Sequence, residues 1–89
     1  MDNRNIAARL RQHARALDAE GGNLYRVRAY RRAAEAIEEF EIPLATVLRR
    51  GGRRRLQELP AIGAHIAKAI ESLILTGKLP ARGRVPMGC

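Results

Sequence analysis

The run Leu59-Pro60-Ala61-Ile62-Gly63-Ala64-His65-Ile66-Ala67-Lys68-Ala69-Ile70 constrains the fold more than any other stretch of the chain. It reads as a short turn that feeds directly into an amphipathic helix, with Ile66, Ile70 and Leu73 recurring on one face. A helix that starts abruptly leaves its first backbone N–H groups without intrahelical partners and presents the positive end of its dipole. Together these form an anion site of the size of one phosphate. Gly63 has no Cβ to hold a ligand off the backbone, and Lys68, one turn further on, adds a full positive charge.

The rest of the chain is patterned for further short helices. Ile6, Leu10, Ala14 and Leu17 mark a buried stripe on a first helix from about Asn5 to Ala19, ended by Gly21-Gly22. Asn23 is a good N-cap for a second helix, about Leu24 to Glu39, with Tyr30, Ala33, Ala34, Ile37 and Phe40 inward and Arg28, Arg31 and Arg32 projecting elsewhere. Small Ala33 and Ala34 allow a neighbouring helix to approach closely. Ile42-Pro43 starts a third helix, about Leu44 to Arg49, which Gly51-Gly52 closes. Arg53 to Leu59 forms a further short helix before the turn, and Gly77 stands where a left-handed C-cap is expected after the last one. Aromatic residues are limited to Tyr25, Tyr30 and Phe40, and no stretch alternates with period two, so a sheet is disfavoured. The expected fold is an all-α, compact bundle of four to five short helices over residues 1–79, with a flexible tail over residues 80–89.

In an 89-residue chain, seventeen Lys plus Arg against nine Asp plus Glu leave a net charge of +8. All of these cations except Lys68 and Lys78 are arginine, whose planar fork can donate two bonds to one phosphate. A basic balance of this size points to nucleic-acid phosphate, although a basic surface also serves solubility alone. No apolar segment approaches the roughly 20 residues that span a bilayer. The amino terminus lacks the apolar run of a secretory signal, so no membrane association and a cytoplasmic location are expected. Cys89 is the only cysteine, which excludes an internal disulfide and a cysteine-based zinc site. His13 and His65 belong to no metal-ligand spacing, and Glu35, Glu38 and Glu39 read as a solvated acidic patch that pairs with arginines.

The segment from Leu59 to Ile70 resembles a helix-hairpin-helix motif of the LPGxG type. Together with the block Asn23-Leu24-Tyr25-Arg26-Val27-Arg28-Ala29-Tyr30-Arg31-Arg32-Ala33-Ala34 and with Thr76-Gly77-Lys78-Leu79, it is similar to the amino-terminal, lyase-type domain of family X DNA polymerases, from about Asn5 to Leu79. One departure is the first hairpin glycine, here Ala61, which is expected to make the turn if its φ is negative.

The resemblance implies sequence-nonspecific DNA binding in repair, favouring gapped, nicked or ended DNA, including single-strand/duplex junctions. It assigns a phosphate to the backbone N–H groups of Gly63, His65 and Ile66 beside Ala64, assisted by Lys68. Arg26 and Tyr30, one turn apart, help hold a 5′-phosphate, with His65 at the position of a hairpin lysine. His65 is mostly uncharged near pH 7 unless phosphate raises its pKa. Tyr30 also falls on the apolar stripe and can equally be a core residue, with both readings compatible if only its hydroxyl reaches the surface. Tyr25 stands where some members stack a template base. A monovalent cation (Na+ or K+), where members bind one, would meet the backbone carbonyls of Gln57, Leu59 and Ile62. The lyase nucleophile of the family aligns with Ala69, and neighbouring Lys68 is turned roughly 100° around the helix, so no enzymatic activity is expected. Two other functions stay open: an abasic-end (deoxyribose-phosphate) lyase, and a protein-interaction module that has lost DNA binding through Ala61. The arginine run Arg49-Arg50 and Arg53-Arg54-Arg55 is either a second phosphate contact or a solvated loop.

Overall fold

The computed structural model describes residues 1–79, which form four helices and no strand. The segment 80–89, for which the sequence predicts a flexible tail, lies outside the described residues.

Helix α1 (Asn3–Ala19) starts two residues earlier than its apolar stripe indicates, because Asp2 caps it: the Asp2 side chain accepts from the Asn5 N–H at 2.8 Å. Asn23 caps α2 (Leu24–Glu39) in the same way, accepting from the Tyr25 N–H at 2.8 Å. These two helices make the most extensive helix pair. Ala7 and Ala14 of α1 and Ala33 and Ala34 of α2 are fully buried, and side chains this small allow neighbouring helices to approach closely. Ile6, Leu10 and Ile37 fill the space around them. Each such side chain contributes about 1.5–3 kcal/mol on leaving water. At the rim Arg11 clamps Glu38 with both terminal guanidinium nitrogens, Nη2 at 3.1 Å. The pair raises the Arg11 pKa and lowers that of Glu38.

Helix α3 (Leu44–Gln57) contains the two short helices expected from the sequence, joined across a kink at Gly52. Gly52 sits at φ +71°, a left-handed value that glycine adopts without a steric penalty, and it re-aims the arginine-rich second half toward α4. Helix α4 (Ala64–Thr76) packs on α3 through Ile66, Ile70 and Leu73 and ends at Gly77, whose N–H bonds the Leu73 carbonyl at 2.8 Å.

One polar side chain ties the two helix pairs together. Asn3 Nδ2 donates to the Ile42 carbonyl at 3.0 Å, and Asn3 Oδ1 accepts from the Leu44 N–H at 2.8 Å. The connection between α2 and α3 is thereby fixed against the start of α1. No helix among the described residues is long and apolar enough to cross a membrane.

Candidate nucleic-acid interface

The hairpin turn is built around Ala61, which adopts φ +66°. The negative φ expected for an alanine is not what the chain uses: Ala61 takes the left-handed conformation that a glycine would take. Its Cβ is strained there by roughly 1–2 kcal/mol. The turn closes because the Leu59 carbonyl accepts the Ile62 N–H at 3.2 Å, while Ile62 inserts into the core with Leu56 and Ile66. Of the three carbonyls assigned to a cation by resemblance, that of Leu59 thus holds one hydrogen bond, and those of Gln57 and Ile62 accept none from the described residues. Among the described residues no cluster of His, Cys, Asp or Glu could hold a metal ion.

Gly63 is the N-cap of α4, in an extended conformation and with no side chain to cap the helix. The first backbone bond at this end runs from the Ala67 N–H to the Gly63 carbonyl, at 2.9 Å. The N–H groups of Ala64, His65 and Ile66, and of Gly63 before them, therefore have no hydrogen-bond acceptor within the described residues. A Cβ built on Gly63 would meet nothing within 4 Å, so the space above these amides is open.

That space is one side of a cleft of about 360 Å³ lined by Ala61, Gly63, Ala64, His65 and Ile66 from the hairpin and by Tyr25, Arg26, Ala29, Tyr30 and Arg32 from α2. Arg26 Nη1 lies 3.0 Å from His65 Nε2, and the Tyr30 hydroxyl lies 3.0 Å from the same nitrogen. The ring of Tyr30 is buried, at 4 % exposure, so it is a core residue whose hydroxyl meets His65 at the cleft. Burial raises its pKa, with a smaller opposing effect from Arg26, which keeps the phenol protonated as a donor. The His13 ring of α1 packs on Tyr30 in a T-shaped arrangement, with ring centroids 4.7 Å apart. Tyr25 is 80 % exposed at the cleft mouth, a free aromatic face.

Six of the residues expected from the sequence, Arg26, Tyr30, Gly63, Ala64, His65 and Ile66, thus meet in one place, with Tyr25 beside them. Lys68 does not line the cleft; it is exposed one turn along α4 and acts on His65 through its charge. Arg32 projects off the apolar face of α2, as the sequence indicates, and is exposed on the cleft wall, in the same i, i+4, i+7 stripe as Tyr25 and Ala29. That spacing was the available signal. Charge is distributed unevenly around the site. Arg11, Arg31, Arg53 and Arg55 each face a carboxylate, at Glu38, Asp18, Glu71 and Glu58 respectively. Among the described residues no such ion pair involves Arg26, Arg32 or Lys68. A larger open depression of about 690 Å³, between the start of α1 and the end of α2, is lined by Asp2, Glu38 and Glu41 as well as Arg4, and its carboxylates oppose an anionic ligand.

Ala69 is buried at 1 % exposure, within the core rather than in the cleft. No curated protein matches the chain in sequence. The family model of the helix-hairpin-helix domain matches residues 1–79, the same residues that form the four helices and the amide-lined turn. The chain belongs to the helix-hairpin-helix domain family.

Proposed function

We propose that this domain binds DNA through its phosphates, with little sequence preference, and that the cleft receives a phosphate at a gap, nick or strand end during repair in the cytoplasm. Helix-hairpin-helix domains generally bind DNA nonspecifically. The observation that carries the finer reading is the convergence of unpaired amides at the start of α4 with Arg26, Tyr30 and His65 on one cleft. A phosphate seated there accepts backbone N–H bonds at the positive end of a helix and a charged bond from Arg26. A chain end exposes more phosphate oxygens than an internal linkage, and a concave site reaches an end more readily than the middle of a duplex. Tyr25 offers a face on which an unpaired base at a gap can stack. Binding without strand chemistry is the favoured activity, since Ala69 supplies no amine and is enclosed in the core.

The test is a titration of the purified domain against intact, nicked and gapped duplexes, with and without a 5′-phosphate at the break. The gapped, phosphorylated duplex should bind tightest, and scrambling its sequence should change affinity little. With about four phosphates neutralised, the slope of log K against log salt should be about −3.6. Equal affinity for all the duplexes would remove the end preference, and strong selection of one sequence would remove the phosphate reading.

A further inference from the structure

We propose that the cleft takes up a proton as it binds a DNA phosphate, with His65 changing from a hydrogen-bond acceptor into a cationic donor. The inference rests on the phosphate-binding reading above, and its basis is the geometry around one ring nitrogen. His65 Nε2 lies 3.0 Å from Arg26 Nη1 and 3.0 Å from the Tyr30 hydroxyl. A guanidinium can only donate, so Nε2 must accept, and the neutral ring carries its hydrogen on Nδ1. Nε2 has a single in-plane lone pair, and the two donors share it.

The groups around His65 all favour the neutral ring. Arg26, Tyr30 and Arg32 face the cleft from α2, and Lys68 follows one turn along α4. From α1, His13 packs on the Tyr30 ring. The residues of the turn that line the cleft, Ala61 and Gly63, carry no titratable group, and no carboxylate among the described residues lines it. Partial desolvation of the ring, then the charges of Arg26 and Lys68, hold the His65 pKa below its ordinary value in the free protein.

A bound phosphate reverses these conditions. Its oxygens accept from Arg26 and Tyr30 better than a shared lone pair does, which releases Nε2. Its charge offsets the surrounding cations, and a protonated Nε2 gains a charge-assisted bond to it. The pKa of His65 therefore rises on binding. By linkage, affinity climbs as pH falls through the interval between the free and bound values, by about tenfold for each unit of rise. A lysine at this position would be charged in both states and would show no such dependence.

The experiment measures binding to a gapped duplex carrying a 5′-phosphate, from about pH 5.5 to pH 8, for the wild-type domain, His65→Gln and His65→Lys. Calorimetry in two buffers of different ionisation enthalpy counts the protons taken up, and far-UV circular dichroism checks folding. Titration of the DNA phosphate is common to all three proteins and cancels in the comparison. Wild type should gain about tenfold over His65→Gln from the top of this range to the bottom, with extra proton uptake. His65→Lys should follow the pH profile of His65→Gln, with tighter binding throughout. Parallel profiles for wild type and His65→Gln, with DNA still bound, would overturn the inference and leave the phosphate reading in place. Failure of all three folded proteins to bind would overturn the phosphate reading, and the inference with it.

Discussion

The Tyr30 hydroxyl lies 3.0 Å from Nε2 of His65, joining two residues 35 positions apart in the chain. The Tyr30 ring belongs to the core and its oxygen belongs to the cleft, so one residue couples the packing of α2 to the geometry of the hairpin. Tyr30→Phe separates these roles, because the ring stays and only the oxygen goes. His65 keeps Arg26 as a partner in that variant, so stability should fall by only about 0.5–1.5 kcal/mol. Affinity for DNA should fall about tenfold or more, the worth of one bond to a charged group. Urea melts and a binding titration on the same preparation check both; unchanged affinity would confine Tyr30 to the core.

Ala61 provides a stability test of the turn. At φ +66° its Cβ is strained by roughly 1–2 kcal/mol, and glycine removes that strain while adding about 0.5–1 kcal/mol of unfolded-chain entropy. Ala61→Gly should therefore stabilise the domain by about 0.5–1 kcal/mol, and raise Tm by about 4–8 °C per kcal/mol. Ala61→Val should destabilise it, since a branched Cβ is worse in the left-handed region. A lower Tm for the glycine variant would show that the turn is not strained.

Gly63 separates binding from folding. It has an extended backbone, and an added Cβ meets nothing within 4 Å. Gly63→Val should fold with a loss of about 1 kcal/mol or less, from the poorer N-cap. The branched side chain would occupy the open space above the α4 amides, and DNA affinity should drop by about tenfold or more as at least one charged hydrogen bond is lost. Full affinity in the folded variant would move the contact away from the hairpin.

Borohydride trapping on an incised abasic site should give no efficient adduct. Ala69 is buried, and Lys68 points roughly 100° away around the helix with its amine in solvent. Placing a lysine at Ala69 forces a long cationic side chain into the core, so Ala69→Lys should lower Tm by several degrees rather than create a lyase. Efficient trapping by the wild-type domain, lost in Lys68→Ala, would identify Lys68 as a nucleophile.

The sequence by itself determined the parts of this protein that depend on neighbours along the chain. Apolar spacing set the inward faces of α1, α2 and α4, Asn23 set the start of α2, and Gly77 set the end of α4, because capping and periodicity act within one or two turns. The break at Gly51-Gly52 was legible for the same reason, even though the two short helices run on across the kink as α3. The turn with its free amides was legible too, since an uncapped helix start leaves them wherever it is placed.

Only the tertiary structure decided what stands around those amides. Helical spacing puts Arg26 and Tyr30 on one side of α2, but it does not say that this side meets α4 or that both reach the same nitrogen of His65. The rotation of α2 about its own axis settles that, and it is fixed by burial of the face carrying Val27, Tyr30, Ala33, Ala34 and Ile37, chiefly against α1. The same rotation brings Arg32 to the cleft wall, and the seating of α4 on α3 turns Ala69 inward. At Ala61, closure of the turn and burial of Ile62 outweigh the local preference of alanine and impose a positive φ. Local rules fix which face of a helix is apolar, whereas the site is made where the polar margins of two such faces meet, and that meeting is set by packing over the whole domain.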